Sequence, residues 1–209
     1  MQNIKNIIFD YGNVIFTLDF NRSKQAWADL GIDNADTFYS HKVQDKIFTG
    51  FETGDVNAAE FRAYIRKTVN DPGLSDEQID QAWNSLLVGV KEGNHELLLS
   101  LKPKYRTFLL SNINPIHYDY IMNYLKNDFG FEGNDHLFEK VYYSHLIRKR
   151  KPNAEIFKQV LDENNLEPSE TLFIDDSPQH IGGAKKLGLN TYLMTAPDNI
   201  QLLFARGVR

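Results

Sequence analysis

The sequence predicts an α/β fold in which a mainly parallel sheet lies between two layers of helices, with a bundle of helices inserted into the chain. Five short apolar runs, rich in β-branched and aromatic residues, have the length and flanking turns of strands. They are Ile4–Asp10, Arg106–Ser111, Lys140–Ser144, Thr171–Asp175 and Asn190–Met194. The last four alternate with helical patterns, which is typical of parallel strands covered on both faces.

The region from about Asn21 to Val90 contains no convincing strand and is predicted to be helical. Apolar residues recur there three or four positions apart, at Trp27 and Leu30, Val43 and Ile47, Phe61, Ile65 and Val69, and Ile79, Trp83 and Leu86. This spacing places them on one face of each of about four helices. A bundle of this size is a natural lid over a binding site.

Local signals predict where these helices begin and end. Ser75 with Gln78 has the spacing of a capping box, and Asn57 with Glu60 is a weaker case. The glycine-bearing stretch from Phe48 to Asp55 predicts a break between two helices.

The order of these elements predicts two domains. Residues 1–16 and 92–209 form a discontinuous, Rossmann-like three-layer core, and residues 17–91 form the helical cap domain. In an open parallel sheet, ligands bind beyond the carboxyl ends of the strands, so the cap is expected to cover that edge.

Composition limits the class of protein. The chain has 209 residues, a formal net charge of -5 and no cysteine. Disulfides, thiolate metal sites and cysteine nucleophiles are therefore excluded, and a clustered basic face for nucleic acid is not evident. We see no signal peptide and no apolar run of membrane-spanning length. We expect a soluble cytoplasmic protein, monomeric or weakly dimeric, with no nucleic-acid or membrane partner.

Polar residues follow four of the predicted strands where a site is expected. Asp10 ends the first strand, Ser111-Asn112 the second and Asp175-Asp176 the fourth, and Lys151 follows the third in the run "RKRKP". Carboxylates bind a hard cation such as Mg²⁺, which also accepts phosphate oxygens. A cation and a lysine can neutralise a transferring phosphoryl group while a carboxylate attacks it.

Four motifs in this order resemble the haloacid dehalogenase superfamily, which consists mostly of Mg²⁺-dependent phosphatases. They are "IIFDYGNV", "FLLSN", "RKP" and "LFIDDS", followed by "IGGAKKLGL", and together they cover the chain. The form "DYGNV", with "DFNRSKQAW" close behind, is most similar to bacterial phosphatases of sugar phosphates such as glucose 1-phosphate. The resemblance implies a small phosphorylated metabolite as substrate and an aspartyl-phosphate intermediate.

The resemblance also implies residue roles. Asp10 is the nucleophile and a metal ligand, and the backbone carbonyl of Gly12, Asp176 and the adjacent Asp175 complete the Mg²⁺ site. Ser111 and the backbone N–H of Asn112 bind phosphate oxygens. Lys151 binds phosphate and screens its charge from Asp10.

Two positions depart from the family pattern. Most family phosphatases have an aspartate at the position of Gly12, which acts as general acid and base, a role typically worth roughly 10²–10⁴-fold in rate. Gly12 offers only a tight turn and a carbonyl, so proton transfer falls to water or a cap residue, or a good leaving group makes it less necessary. His180 stands where the family often has aspartate or asparagine, and its part in the metal site is open.

Other interpretations accompany these. Ser111-Asn112 also fits a helix N-cap before Pro115, and within Arg148–Lys151 only Lys151 receives a role. Trp27 and Trp83 are expected in the cap core. The histidines without ligand spacing are expected at the surface or in loops: His41, His95, His117, His136 and His145.

Two alternative functions remain. A haloacid dehalogenase would use Asp10 to displace halide without a metal, but related dehalogenases lack the acidic pair at Asp175-Asp176. A catalytically silent protein that binds a phosphorylated metabolite would explain the missing acid at Gly12.

Overall fold

Five parallel strands form the central sheet, in the order β5–β4–β1–β6–β7. The structure is a computed structural model, and it describes residues 3–32 and 46–207. The strands are β1 (Asn6–Phe9), β4 (Arg106–Ser111), β5 (Lys140–Tyr143), β6 (Thr171–Asp175) and β7 (Asn190–Leu193). All five predicted strands are confirmed, with ends shifted by no more than two residues.

Helices cover both faces of this sheet. Within the described ranges they are α1 (Phe20–Asp29), α2 (Lys46–Thr53), α3 (Ala58–Thr68), α4 (Asp76–Asn84), α5 (Asn94–Leu101), α6 (Pro115–Phe129), α7 (Ser144–Ile147), α8 (Ala154–Asn164), α9 (Pro178–Lys185) and α10 (Ile200–Ala205). None of these described helices is long and apolar enough to cross a membrane.

Alternation along β1 divides the core into two clusters. Ile7 and Phe9 pack in one cluster with residues of α5, α6 and α10, whereas Ile8 packs in the other with residues of α8 and α9. Successive side chains of a strand point to opposite faces, so a strand that is buried throughout requires a helical layer on each side. The predicted three-layer α/β architecture is confirmed.

Helices α1 to α4 share a third cluster of buried residues. Trp27 and Trp83 are almost fully buried in it, as predicted, and the ring of Phe51 stacks on that of Phe61 with 4.2 Å between centroids. The two predicted capping boxes are present, at Asn57 before α3 and at Ser75 before α4. Val43, which was assigned to a helix face, lies outside the described residues. The exact domain boundaries stay a prediction.

The prediction that this region lacks strands is wrong. Residues Leu87–Val90 form strand β3, which pairs antiparallel with β2 (Phe16–Leu18) in a two-stranded ribbon. The ribbon lies where the chain leaves the core for the cap and returns. Only four residues long and interrupted by Gly89, β3 follows α4 so closely that its apolar residues continue the helical pattern in the sequence.

The predicted break at Phe48–Asp55 is confirmed only at the end of that stretch. Helix α2 continues through Gly50 to Thr53, and the chain turns only at Gly54, whose φ is +71°. A side chain at Gly50 would meet the Val56 side chain at 2.7 Å, so this glycine serves close packing instead of a turn.

Asn114, and not Ser111-Asn112, caps helix α6. Its Oδ1 accepts hydrogen bonds from the His117 N–H, at 3.0 Å, and from the indole N–H of Trp83 in the cap, at 3.2 Å. His117 Nε2 lies 3.0 Å from the Trp83 carbonyl and Nδ1 lies 3.0 Å from Asn114 Nδ2. A neutral imidazole with its proton on Nε2 satisfies both contacts, and this network joins the cap to the core.

Two of the histidines that were predicted at the surface or in loops lie in helices instead. His117 is partly buried in α6, where its ring stacks on that of Trp83, and His95 is buried in α5 against the ring of Phe129. Both histidines lie in helices and not in loops. His41 lies outside the described residues.

The partly buried His117 is expected to make the stability of the fold depend on pH. Burial lowers the pKa of His117 from 6.5 to about 4. Between these values the unfolded chain binds a proton that the folded chain does not, so the free energy of unfolding falls as the pH is lowered from 6.5 towards 4. The loss is on the order of 2 kcal/mol. Urea unfolding across this pH range measures it.

The matched control is His117→Gln, because glutamine does not titrate while all other groups are kept. We expect the difference in unfolding free energy between wild type and variant to shrink as the pH falls. A difference that is constant from pH 7 to pH 4 would contradict the assignment.

Candidate active site

Asp10 lies at the carboxyl end of the central strand. Its backbone N–H donates to the Ile174 carbonyl at 2.9 Å, which continues the pairing of β1 with β6 by one residue. The residue is 8% exposed. An apolar strand with both faces covered thus fixes the backbone that carries this carboxylate.

Lys151 is the fully buried partner of Asp10. Its Nζ lies 2.7 Å from Asp10 Oδ1, 2.7 Å from Asp175 Oδ2 and 2.8 Å from the Leu110 carbonyl oxygen. The ammonium therefore has an acceptor for each of its three protons. Burial opposes its charge, but the two carboxylates outweigh burial and raise the pKa of Lys151.

Asn112 positions the backbone of Lys151. Its Nδ2 donates to the Lys151 carbonyl at 3.0 Å, and its Oδ1 accepts from the Lys151 N–H at 2.9 Å. This pair of hydrogen bonds joins the end of β4 to the loop after α7. Sequence reasoning considered only the backbone N–H of Asn112 and missed the role of its side chain.

The Asp175 carboxylate interacts with several hydrogen-bond donors. Besides Lys151, it accepts the Ser177 N–H at 2.8 Å, and His180 Nδ1 lies 3.0 and 3.1 Å from its two oxygens. Although burial raises its pKa, Lys151 and His180 outweigh that effect and lower the pKa of Asp175 to about 2. Both oxygens are engaged, which favours a positioning role for Asp175.

Asp176 is oriented by a residue that sequence reasoning missed. Asn13 Nδ2 donates to Asp176 Oδ2 at 2.9 Å, and Asn13 Oδ1 accepts the Leu18 N–H at 3.2 Å. The turn after β1 also places its positive φ, 53°, at Asn13 and not at Gly12. Gly12 is therefore not required for the turn, because asparagine adopts the left-handed conformation more readily than most residues.

The space beside Gly12 explains why the residue is a glycine. A Cβ atom built there would lie 2.9 Å from Leu18 Cδ1 of the ribbon, so the Leu18 side chain occupies the volume of a larger residue. The contacting atom is the end of a flexible side chain, and an acid at this position therefore requires Leu18 to move.

Three carboxylates converge at this end of the sheet. Oxygens of Asp10, Asp175 and Asp176 lie within 4.8 Å of one another. Burial raises the pKa of Asp10 to about 7, opposed by Lys151, and burial also raises that of Asp176. A hard divalent cation fits this donor set, because it prefers carboxylate oxygens and compensates their repulsion.

A cavity of about 350 Å³ opens above these carboxylates. The cavity is lined by residues at the carboxyl ends of the strands and by residues of the cap helices and the ribbon. They are Asp10, Gly12, Asn13, Leu18, Phe20, Glu52, Asn112, Arg150, Pro152, Asp176, Ser177, Pro178, Gln179 and His180. Ser111 lines a smaller adjoining cavity of about 60 Å³ instead. The cavity has the size of a small metabolite and brings together Asp10, Gly12, Asn112 and Asp176 from the predicted set, with Lys151 buried beneath.

The cap contributes Glu52 to this cavity. Its Oε2 lies 2.8 Å from Nη2 of Arg150, the residue before Lys151. Sequence reasoning assigned no role to either residue, because the pairing joins positions that are distant in the chain. The closest signal in the sequence was the basic run Arg148–Lys151.

An aspartate at the end of the central strand, a buried lysine and an acidic pair lie together below helices α1 to α4. This arrangement is consistent with a hydrolase of an α/β fold. Residues 4–188 match the model of the haloacid dehalogenase-like hydrolases. The chain belongs to this family, and the resemblance carried by its motifs is confirmed.

Individual relatives are similar over nearly the whole chain. D-ribitol-5-phosphate phosphatase of Bacteroides thetaiotaomicron is 35% identical over 94% of this chain and 93% of its own. A crystal structure of a HAD family enzyme from the same organism, in complex with magnesium and inorganic phosphate, superposes with a TM-score of 0.85. It is 38% identical and covers 96% of this chain and 99% of that one. A predicted HAD-like hydrolase of Porphyromonas gingivalis gives a TM-score of 0.86 at 31% identity, over 99% and 98% of the two chains.

The buried lysine predicts a large stability effect. Lys151→Met leaves two buried carboxylates without their cation, and breaking a buried pair in this way typically costs about 3–5 kcal/mol. We expect the free energy of unfolding to fall by that amount, as measured by urea denaturation at pH 7.5 without metal.

The matched variant is Asp10→Asn, which keeps Lys151 paired with Asp175. We expect it to change the stability by about 1 kcal/mol or less, because one ion pair and two further acceptors remain. Equal stability of Lys151→Met and wild type would show that the ammonium does not compensate these carboxylates.

Proposed function

We propose that the chain is a Mg²⁺-dependent phosphatase that hydrolyses a small sugar or polyol phosphate through an aspartyl-phosphate on Asp10. The observation that carries this proposal is the Asp10 carboxylate, held by Lys151 at the mouth of a cavity beside Asp176. The names of the relatives support the same chemistry: one is a phosphatase of a phosphorylated pentitol, and another was crystallised with magnesium and phosphate.

The chain's own residues supply the attacking group. Lys151 binds Oδ1 of Asp10, so Oδ2 attacks phosphorus and the bond from phosphorus to the leaving oxygen breaks. Water then attacks the phosphorus of the aspartyl-phosphate and releases the carboxylate. Ser111 and the backbone N–H of Asn112 are proposed to bind phosphate oxygens.

Asp10, Asp176 and the Gly12 carbonyl are the proposed ligands of Mg²⁺, with Asp175 adjacent. When bound, the ion neutralises charge on the phosphoryl group and accepts its oxygens. Asn13 orients Asp176, and Asp175 and Asn112 keep Lys151 in place. These residues fix the geometry before substrate binds, which is the condition for electrostatic stabilisation of a transition state.

The class of leaving group separates two substrate hypotheses. A sugar 1-phosphate such as glucose 1-phosphate releases an anomeric oxygen, which leaves more easily than a simple alkoxide and needs less help from an acid. A pentitol 5-phosphate, the substrate class in the relative's name, releases a primary alkoxide. If this chain acts on the second class, water or a cap residue has to supply the proton that Gly12 cannot.

The first functional test is phosphate release from sugar 1-phosphates, pentitol 5-phosphates and hexose 6-phosphates. We expect release with Mg²⁺, loss of activity with EDTA, and recovery when Mg²⁺ is restored. Asp10→Asn is expected to reduce kcat by at least about 10³-fold, because the nucleophile is removed.

The outcomes separate the alternative functions. Halide release that is insensitive to EDTA would establish a dehalogenase and overturn the proposal. Tight binding of a phosphorylated metabolite without turnover would indicate the silent binding protein, for which Gly12 is the specific observation.

A second test restores the missing acid with room for its side chain. We expect Gly12→Asp combined with Leu18→Ala to increase kcat/KM at least about 10-fold on substrates with an alkoxide leaving group, and less on sugar 1-phosphates. Leu18→Ala alone is the control, since it opens the same volume without adding a carboxyl. An equal effect on both substrate classes would contradict the leaving-group explanation.

A further inference from the structure

Two ion pairs join cap helix α2 and the turn that follows it to the loop that precedes Lys151. Glu52 pairs with Arg150, and Asp55 pairs with Arg148. The two acids lie three residues apart in the cap and the two arginines two residues apart in the core. The basic run Arg148–Lys151 is thereby explained: Lys151 serves the nucleophile and the two arginines contact the cap.

Backbone contacts reinforce this docking. Ser144 Oγ donates to the Glu52 carbonyl at 2.6 Å. A Cβ atom at Gly54 would lie 2.3 Å from the His145 carbonyl oxygen, so only glycine permits the observed approach. Arg150 Nη1 also donates to Thr49 Oγ1 at 3.1 Å. The end of α2 is therefore fixed on the core, and the Glu52 side chain is aligned by its neighbours.

The two ion pairs differ in where they lie. The Arg150 and Glu52 side chains are 11% and 30% exposed and both line the cavity above Asp10. The Arg148 and Asp55 side chains are 67% and 57% exposed, and neither lines that cavity. Only the first pair is therefore in a position to contact a bound substrate.

The chemistry of the first pair suits hydroxyl groups. A carboxylate accepts hydrogen bonds from hydroxyls, and a guanidinium donates to their oxygens in a fixed geometry. The pair carries no net charge, so it gives no net attraction to a second anionic group on the substrate. Leu18 and Phe20 give the same cavity apolar surface, which suits the C–H groups of a polyol chain.

From this geometry we propose that Glu52 and Arg150 together recognise the hydroxyl groups of the leaving group and set the preference for neutral, polyhydroxylated phosphate monoesters. The inference rests on the proposed phosphatase function and deepens it. Glu52 and Arg150 are specificity-determining residues. Arg150 directly precedes Lys151, so a residue that recognises the substrate is next in the chain to the residue that binds the nucleophile.

The test compares a pentitol 5-phosphate with pentyl phosphate, which has the same chain length and no hydroxyls. We expect Glu52→Gln to raise KM for the pentitol phosphate at least 10-fold while kcat/KM for pentyl phosphate stays within twofold. The preference for the pentitol substrate, expressed as the ratio of the two kcat/KM values, then falls at least 10-fold. Arg150→Lys keeps the charge but loses the planar fork, and is expected to lower the same ratio.

The matched control is Asp55→Asn, which breaks the neighbouring ion pair between the same two segments. We expect it to leave the ratio within twofold of wild type. An equal loss of activity on both substrates in Glu52→Gln, or equal effects of Glu52→Gln and Asp55→Asn, would overturn recognition and indicate cap docking alone. Circular dichroism and unfolding curves verify that each variant is folded.

A binding measurement separates this inference from the proposed function. In an Asp10→Asn background, calorimetry with the two phosphate esters and Mg²⁺ measures recognition without turnover. Tighter binding of the pentitol ester that is lost with Glu52→Gln supports the inference even if the wild type releases no phosphate. Equal affinity for the two esters in that background overturns it even if the enzyme is a phosphatase.

Discussion

The buried ammonium of Lys151 is the interaction on which the site depends. Two carboxylates at the ends of neighbouring strands β1 and β6 would repel each other in an apolar environment, and Lys151 lies 2.7 Å from both. The lysine compensates the charge of both carboxylates. The Leu110 carbonyl holds its ammonium, and the Asn112 side chain holds its backbone. Removing the lysine leaves two buried carboxylates without their cation, whereas removing the Asp10 carboxylate leaves Lys151 paired with Asp175.

The segment that carries Lys151 also connects the cap to the core. It begins at the end of β5 with Ser144, which hydrogen-bonds the cap backbone, and continues through Arg148 and Arg150, which bind cap carboxylates. The positions of α2 and of Lys151, which binds Asp10, are therefore set by one short stretch of chain. The contacts with the cap helices and the contact with Asp10 are adjacent in sequence.

Sequence reasoning succeeded where the signal was local or repeated. The five strands were evident because each is a short run rich in apolar, β-branched or aromatic residues between turn residues, and Asp10, Asp175 and Asp176 were identified because strand ends meet at one edge of a parallel sheet. It failed at β3, whose four residues continue the pattern of the preceding helix, and at α2, where Gly50 serves packing and not a turn. The cap of α6 was predicted two to three residues too early, because Ser111, Asn112 and Asn114 are all good N-cap residue types and the sequence does not distinguish among them.

The sequence by itself determined the five strands of the main sheet, the family and the chemistry available at the strand ends, because each depends on residue type and spacing along the chain. Only the tertiary structure decided what the side chains do there. Asn112 binds the Lys151 backbone, Asn13 takes the positive φ and orients Asp176, and Leu18 fills the space beside Gly12. These roles depend on contacts between segments far apart in the chain, and periodicity carries no information about such contacts.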